Sequence, residues 1–180
     1  TSHDARERSP RFSPDGNEVA FVSDRDGAPQ VYVAPRKGGA AQQLTFHTSG
    51  CDLEGWHPDG QSLLIHGQRD HYWRHAERLM RVAREQRSPE RVLFDDYGAD
   101  GVLSPDGKQL LFTREGPSWW RKGYRGSQAS QIWLYQLDDR SFRQLAASEG
   151  GVRWPLWKPD GMGFYYVGGD PQAQNLFEYD

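Results

Sequence analysis

The sequence predicts an all-β chain of the β-propeller class, and three observations carry the prediction. A Pro-Asp-Gly triplet occurs four times, at Pro14-Asp15-Gly16, Pro58-Asp59-Gly60, Pro105-Asp106-Gly107 and Pro159-Asp160-Gly161. Pro presets the first corner of a turn, Asp bonds its own backbone and Gly accepts positive φ, so each triplet reverses the chain. Counted from each proline, the fifth to seventh following residues are Val19, Ala20 and Phe21; Leu63, Leu64 and Ile65; Leu110, Leu111 and Phe112; and Phe164, Tyr165 and Tyr166. All are apolar, and a run without polar alternation reads as a strand covered on both faces. The triplets stand 44, 47 and 54 residues apart, the span of a four-stranded blade with loops of unequal length.

Each repeat follows one plan. The strand ahead of the triplet carries an anchor, Phe12, Trp56, Leu103 or Trp157. After the apolar strand comes a polar hairpin, then an aromatic-rich third strand over Gln30 to Val33, Arg78 to Val82, Gln131 to Tyr135 and Asn175 to Tyr179. A shorter fourth strand is predicted at Gln42 to Thr45, Glu90 to Phe94 and Phe142 to Leu145; the fourth repeat has none, because the sequence stops at Asp180. The repeats occupy about 9–49, 50–98, 99–150 and 151–180 of a single propeller segment, 1–180. In the second repeat Ala76 to Glu85 is rich in helix formers and has a Glu77/Arg81 pair at i, i+4. Repeat register nevertheless aligns Leu79, Met80 and Val82 with Val31 to Val33 and Ile132 to Leu134, so a strand is predicted there. Blades stacked in this way cover faces that no single blade could bury.

Thr45 and His47 precede Pro58 by the same 13 and 11 residues by which Thr1 and His3 precede Pro14. Thr1 therefore reads as the end of a closing strand, and the chain as a window from a longer repeat array with open strand edges. Such edges favour self-association.

With 180 residues and 20.6 kDa the chain is long enough for a substantial core, and seven Trp place much of the burial in a few large rings. A net charge of −3 gives no footprint for nucleic acid or an anionic membrane. No apolar run approaches the ~20 residues of a membrane span, and no charged-then-apolar leader opens the chain. Cys51 is the only cysteine, so neither a disulfide framework nor a cysteine metal cluster is expected.

The most unusual segment is the third-repeat hairpin, Gly116 to Ser130, about ten residues longer than its first-repeat counterpart. Trp119, Trp120, Arg121 and Tyr124, with Lys122 and Arg125, can stack on a ligand and bind carboxylates through guanidinium forks. The alternative, that one or both Trp pack onto the neighbouring blade, is the favoured of the two. A second insertion, Gly67 to His75, brings Trp73 and Arg74. His71 and His75 have metal-compatible spacing only in a helix, and Asp70 is the one acid beside them, so no metal site is expected. Asp24-Arg25-Asp26-Gly27 opens like a calcium loop but has Pro35 where the twelfth-position Glu belongs, and reads as a hairpin turn. Gly-x-Ser-x-Gly is absent, and no spacing of Ser, His and Asp identifies a triad. No catalytic residue and no cofactor are expected.

Ser9-Pro-Arg-Phe-Ser-Pro-Asp-Gly, Ala20-Phe-Val-Ser-Asp-Arg-Asp-Gly and Gln30-Val-Tyr-Val resemble the WD40-like repeats of the TolB propeller family. Those repeats also occur in tricorn-type proteases, prolyl-oligopeptidase relatives and some polysaccharide lyases. Trp56-His-Pro-Asp-Gly, Tyr72-Trp73-Arg74, Arg125-Gly-Ser-Gln-Ala-Ser-Gln-Ile-Trp-Leu-Tyr and Trp154-Pro-Leu-Trp-Lys-Pro-Asp-Gly are most similar to the N-terminal propeller of a tricorn-like serine peptidase. That resemblance implies a non-catalytic module that binds or gates peptides, and the two insertions offer Trp119, Trp120, Arg121, Tyr124, Trp73 and Arg74 as its contact residues. Its implied partners are peptides or a protein, together with further blades and a peptidase domain of the parent. A periplasmic or secreted setting is implied, with the cytoplasm left open. The alternatives are a TolB-like periplasmic interaction scaffold and a propeller enzyme acting on a sugar.

Overall fold

The computed structural model describes residues 4–70, 76–85, 88–114, 126–169 and 173–180. Among them the chain forms fifteen strands and no helix. They make four antiparallel sheets, each with its strands in sequence order. Sheet one holds β1 (Glu7–Phe12), β2 (Glu18–Ser23), β3 (Gln30–Pro35) and β4 (Gln42–Gln43). Sheet two holds β5 (Asp52–Trp56), β6 (Ser62–Gln68), β7 (Glu77–Ala83) and β8 (Arg91–Val92). In sheet three are β9 (Ala99–Leu103), β10 (Gln109–Arg114), β11 (Gln131–Gln136) and β12 (Phe142–Ala147). Sheet four has β13 (Arg153–Trp157), β14 (Phe164–Gly169) and β15 (Gln174–Tyr179). The sheets fall into two compact units, Thr1–Asp96 and Tyr97–Asp180.

The four triplets make the same turn. Gly16, Gly60, Gly107 and Gly161 sit at φ 70, 69, 73 and 71°, the left-handed region that glycine enters without cost. Each donates its N–H to the residue ahead of the proline, namely Ser13, His57, Ser104 and Lys158, at 2.8–2.9 Å. In sheets one and three the leading serine adds a clasp. Ser13 Oγ donates to Asp15 at 2.6 Å and accepts Glu18 N–H at 2.9 Å; Ser104 Oγ repeats this with Asp106 at 2.5 Å and Gln109 at 3.0 Å. The clasp holds both aspartates below the usual carboxylate range, Asp15 at about 2.

Between sheets one and two, Ala20, Val22, Val31 and Val33 pack against Leu53, Leu63, Ile65, Met80 and Val82. Each such fully buried aliphatic chain larger than alanine contributes roughly 1.5–3 kcal/mol. The strand over Arg78 to Val82 forms as register predicts, because Met80 and Val82 are needed in this core and a helix would break their two-residue alternation. Trp56 caps the seam, donating its indole N–H to Arg11 O at 3.0 Å. Cys51 N–H donates to Pro29 O at 2.8 Å, and the Arg84 guanidinium clamps Glu18, with Nε–Oε2 at 2.7 Å.

The second unit repeats these contacts. Leu111, Ile132 and Leu134 meet Val152 and Phe164, Trp157 donates to Val102 O at 3.0 Å, and Val152 N–H donates to Ser130 O at 2.9 Å. Phe164 stacks on Tyr179, centroids 4.8 Å apart.

Several expectations need correction. Trp56 and Trp157 latch onto the preceding sheet of their own unit; of the other two anchors, Phe12 is 64% exposed and Leu103 is half-buried. The fourth apolar run is not covered on both faces: Tyr165 is half-buried, and on the same face Leu156 and Leu176 are 60% and 72% exposed. Within its unit, sheet four packs on sheet three with one face only. The closing strands are shorter than predicted in the first two repeats. After β4 the Thr45 hydroxyl takes over the ladder, accepting Val31 N–H at 2.9 Å and donating to Gln30 Oε1 at 2.7 Å. The proposed role of Thr1 lies outside the described residues.

Three non-glycine residues adopt left-handed backbone in the first strand of a sheet: Ser9 and Asp100 at φ 53° and Trp154 at φ 56°. Each stands five residues ahead of its triplet proline and coincides with a register shift, the signature of a bulge that re-aims the strand.

Candidate functional site

The two inserted hairpins join the second and third strands of their sheets. In sheet three residues 115–130 separate β10 from β11, against residues 24–29 at the corresponding place in sheet one. Trp119, Trp120, Arg121 and Tyr124, with Trp73 and Arg74 of the second insertion and His71 and His75 beside them, lie outside the described residues. What the structure describes is the base of each hairpin.

At the second hairpin the base is a charged network. Arg69 reaches back to donate to Gly50 O at 3.2 Å, Gln68 O at 2.8 Å and Cys51 Sγ at 2.9 Å, with Glu90 at 3.8 Å. Burial pushes the Cys51 thiol up against the opposing pull of the Arg69 charge, so the sulfur stays protonated and accepts rather than attacks. Arg78 pairs with Asp70 at 2.6 Å and Asp95 at 3.0 Å, and His66 lies between Glu54 at 2.9 Å and Glu77 at 3.6 Å. Among the described residues no group of three His, Cys, Asp or Glu has the geometry to hold a metal ion. The calcium-like Asp24-Arg25-Asp26-Gly27 is a hairpin turn: Gly27 N–H donates to Asp24 O at 2.9 Å, Asp24 accepts Arg6 N–H, and Asp26 accepts the Tyr32 hydroxyl.

At the third hairpin the base is aromatic and cationic. Arg114 and Gln131 are the closing Cα pair, the Arg114 guanidinium carbon stands 5.1 Å over the Trp133 ring, and Trp133 Nε1 donates to Gln131 Oε1 at 2.9 Å. On the opposite face of the same strands, toward sheet four, are two hydroxyls that sequence reading did not single out. Thr113 is 7% exposed and Ser130 1% exposed, and neither side-chain oxygen has a hydrogen-bond partner. Arg153 of β13, the Cα partner of Val167, has a buried Nε that likewise lacks an acceptor.

The whole chain, residues 1–180, matches the family described as the tricorn protease N-terminal beta propeller domain. It is 35% identical over 165 residues to "Tricorn protease homolog 1" of Streptomyces coelicolor, covering 86% of this chain and 14% of that protein. Its fold is similar to that of TolB from Acinetobacter baumannii, with TM-score 0.71 and 19% identity over 94% of this chain and 39% of the other. A crystal structure of the tricorn protease aligns with TM-score 0.63 and 16% identity over 96% of this chain and 17% of that one. The chain thus spans a minor part of the length of each of these relatives.

Proposed function

The chain belongs to the tricorn protease N-terminal β-propeller domain family, and from that premise we propose that it is a non-catalytic propeller segment of a tricorn-like serine peptidase that binds or gates peptide substrates. One observation carries the peptide reading: the long 115–130 connection, in a segment otherwise built of short turns, concentrates Trp119, Trp120, Arg121 and Tyr124. Rings supply stacking area for side chains and backbone, and a guanidinium fork matches a peptide carboxylate. Trp73 and Arg74 repeat the combination on the second insertion. Catalysis is assigned to other parts of the parent, since the sequence holds no nucleophile motif.

A peptide-library titration of the wild type and Trp120→Ala tests this. Loss of one aromatic anchor in a desolvated site costs on the order of 2 kcal/mol, roughly thirtyfold in affinity. Equal binding by both removes the third hairpin from the proposal. Hydrolysis by the purified chain that survives removal of contaminating proteases overturns the non-catalytic assignment.

A second reading, a TolB-like scaffold for a protein partner, draws on the exposed apolar residues Leu156 and Leu176, which share one face of sheet four. An exposed apolar sheet face suits a protein surface better than a soluble peptide.

A further inference from the structure

The outer edges of the sheets differ in length. Sheets one and two end in the two-residue strands β4 and β8, whereas sheet three ends in β12, six residues long. A long open edge presents unpaired main-chain groups, and a short edge strand is one way of withholding them. β15 is equally long, but it is the third strand of its repeat, and in the other three sheets a fourth strand lies on its outer side. β12 is itself a fourth strand, so the repeat supplies nothing further to cover it.

The register fixes which groups β12 offers. Gln136 N–H donates to Ser141 O at 3.0 Å, which makes these two a hydrogen-bonded pair. Such pairs alternate along an antiparallel ladder with pairs whose main-chain groups point apart. Tyr135 with Phe142, Leu134 with Arg143 and Trp133 with Gln144 follow in continuous register, and the ladder bulges only beyond Gln144. Alternation therefore turns the N–H and C=O of Arg143 toward β11 and those of Phe142 and Gln144 away from it. The side chains alternate too. Phe142 meets the rings of Phe112 and Tyr135 at centroid distances of 6.3 and 4.8 Å and is still 43% exposed. Arg143, on the other face, is exposed and makes no ion pair with another described residue.

We propose that the edge of β12 binds a peptide in extended conformation, added antiparallel as a fifth strand of sheet three, with an apolar residue opposite Phe142 and an acidic one opposite Arg143. The inference rests on the peptide reading and gives it a second contact, separate from Trp119, Trp120, Arg121 and Tyr124. Main-chain pairing holds many sequences alike, and the alternate side chains add a preference. An apolar residue covers a ring that the sheet leaves partly in water, and a carboxylate answers the Arg143 charge. No free C-terminus is needed, because the bonds are made by interior N–H and C=O groups of the peptide. A second copy of the chain fits the edge poorly: two β12 strands paired antiparallel through Phe142 and Gln144 set Arg143 opposite Arg143, and like charges directly opposite repel.

The probe is the blocked peptide acetyl-Thr-Val-Glu-Val-Thr amide, which sets a valine opposite Phe142 and Gln144 and its Glu opposite Arg143. Controls are the same peptide N-methylated at both valines, and its analogue with Lys for Glu. In the isotope-labelled chain the amide resonances of Phe142 and Gln144 should shift saturably with the probe, N-methylation should weaken binding roughly tenfold, and the Lys analogue should bind less tightly. Arg143→Glu should reverse the preference for Glu over Lys. Gln144→Pro removes a donor that β11 does not use, so it should abolish the Phe142 shift while the resonances of β10 and β11 stay in place. Trp120→Ala should leave the β12 shifts intact, so that failure of the edge and failure of the hairpin reading are told apart. No saturable shift at Phe142 and Gln144, equal binding of the N-methylated peptide, or loss of the shifts in Trp120→Ala would overturn the proposal. So would a shift of both amides with protein concentration alone, which marks a second copy on the edge.

Discussion

Trp157→Phe should loosen the second unit and leave the first unchanged. The indole N–H donates to Val102 O at 3.0 Å, tying the first strand of sheet four to that of sheet three, while the ring packs against the core around Phe164. Phenylalanine keeps much of the ring contact and removes the donor. A neutral hydrogen bond contributes about 1 kcal/mol net, and the carbonyl left behind, on a half-buried residue, regains some solvation, so its penalty falls at the low end. Adding the apolar area lost with the smaller ring, the cost is about 1–2 kcal/mol. That corresponds to a factor of roughly 5–30 in the opening equilibrium. Native-state amide exchange reads it strand by strand: protection should fall by that factor in β9, β10, β13 and β14. Trp56→Phe, which removes the equivalent bond to Arg11 O, should do the same to β1, β2, β5 and β6. Equal loss in both units from either substitution, or none anywhere, would show that the latch reasoning is wrong.

Two further outcomes are expected. The Asp15 carboxyl titrates at about 2 in the folded chain against 3.8 ordinarily, chiefly because the Ser13 hydroxyl donates to it. A depressed carboxylate stabilises fully above its unfolded value and loses that contribution as pH falls through the folded one. Part of the stability should therefore disappear between about pH 4 and pH 2, and Ser13→Ala should raise the Asp15 value in a carboxyl NMR titration; an unmoved titration refutes the clasp as its cause. Separately, the exposed face of sheet four should drive concentration-dependent association, reduced by Leu176→Glu. A monomer at every concentration in sedimentation velocity refutes it.

The turns were legible because their chemistry is local. Pro, Asp and Gly act within four residues, and all four glycines reach the same φ whatever precedes them, Ser13, His57, Ser104 or Lys158. The strand at Arg78 to Val82 was legible against its helix propensity because a repeat supplies long-range information that a window of ten residues lacks. What local pattern could not reveal depends on a neighbouring strand or sheet. Ser9, Asp100 and Trp154 share no residue type, and their left-handed backbone follows from the register shift rather than from preference. Trp56 and Trp157 carry an indole N–H that meets a carbonyl across the seam, a partner that only the neighbouring sheet reveals, whereas Phe12 and Leu103 at the same repeat position carry no donor.

The seam between sheets three and four stands between these cases. No single residue of it is unusual: Ala99 is a small residue in a strand, and Thr113 is an ordinary end to an apolar run. Aligned by repeat, however, the position six before the proline reads Arg8, Asp52, Ala99, Arg153, and the position eight after it reads Val22, His66, Thr113, Val167. The first column shows an Arg and Asp pair replaced by Ala and Arg, and the second shows hydroxyl replacing methyl where sheets one and three face their neighbours. Both signals were present in the sequence, but they acquire meaning only when the unit boundary at Asp96 and Tyr97 pairs sheet one with two and sheet three with four. Pairing then makes Arg8 answer Asp52 across one seam and gives the other seam Ala99 in the place of that cation, so two copies of one arrangement hold their strands by different means.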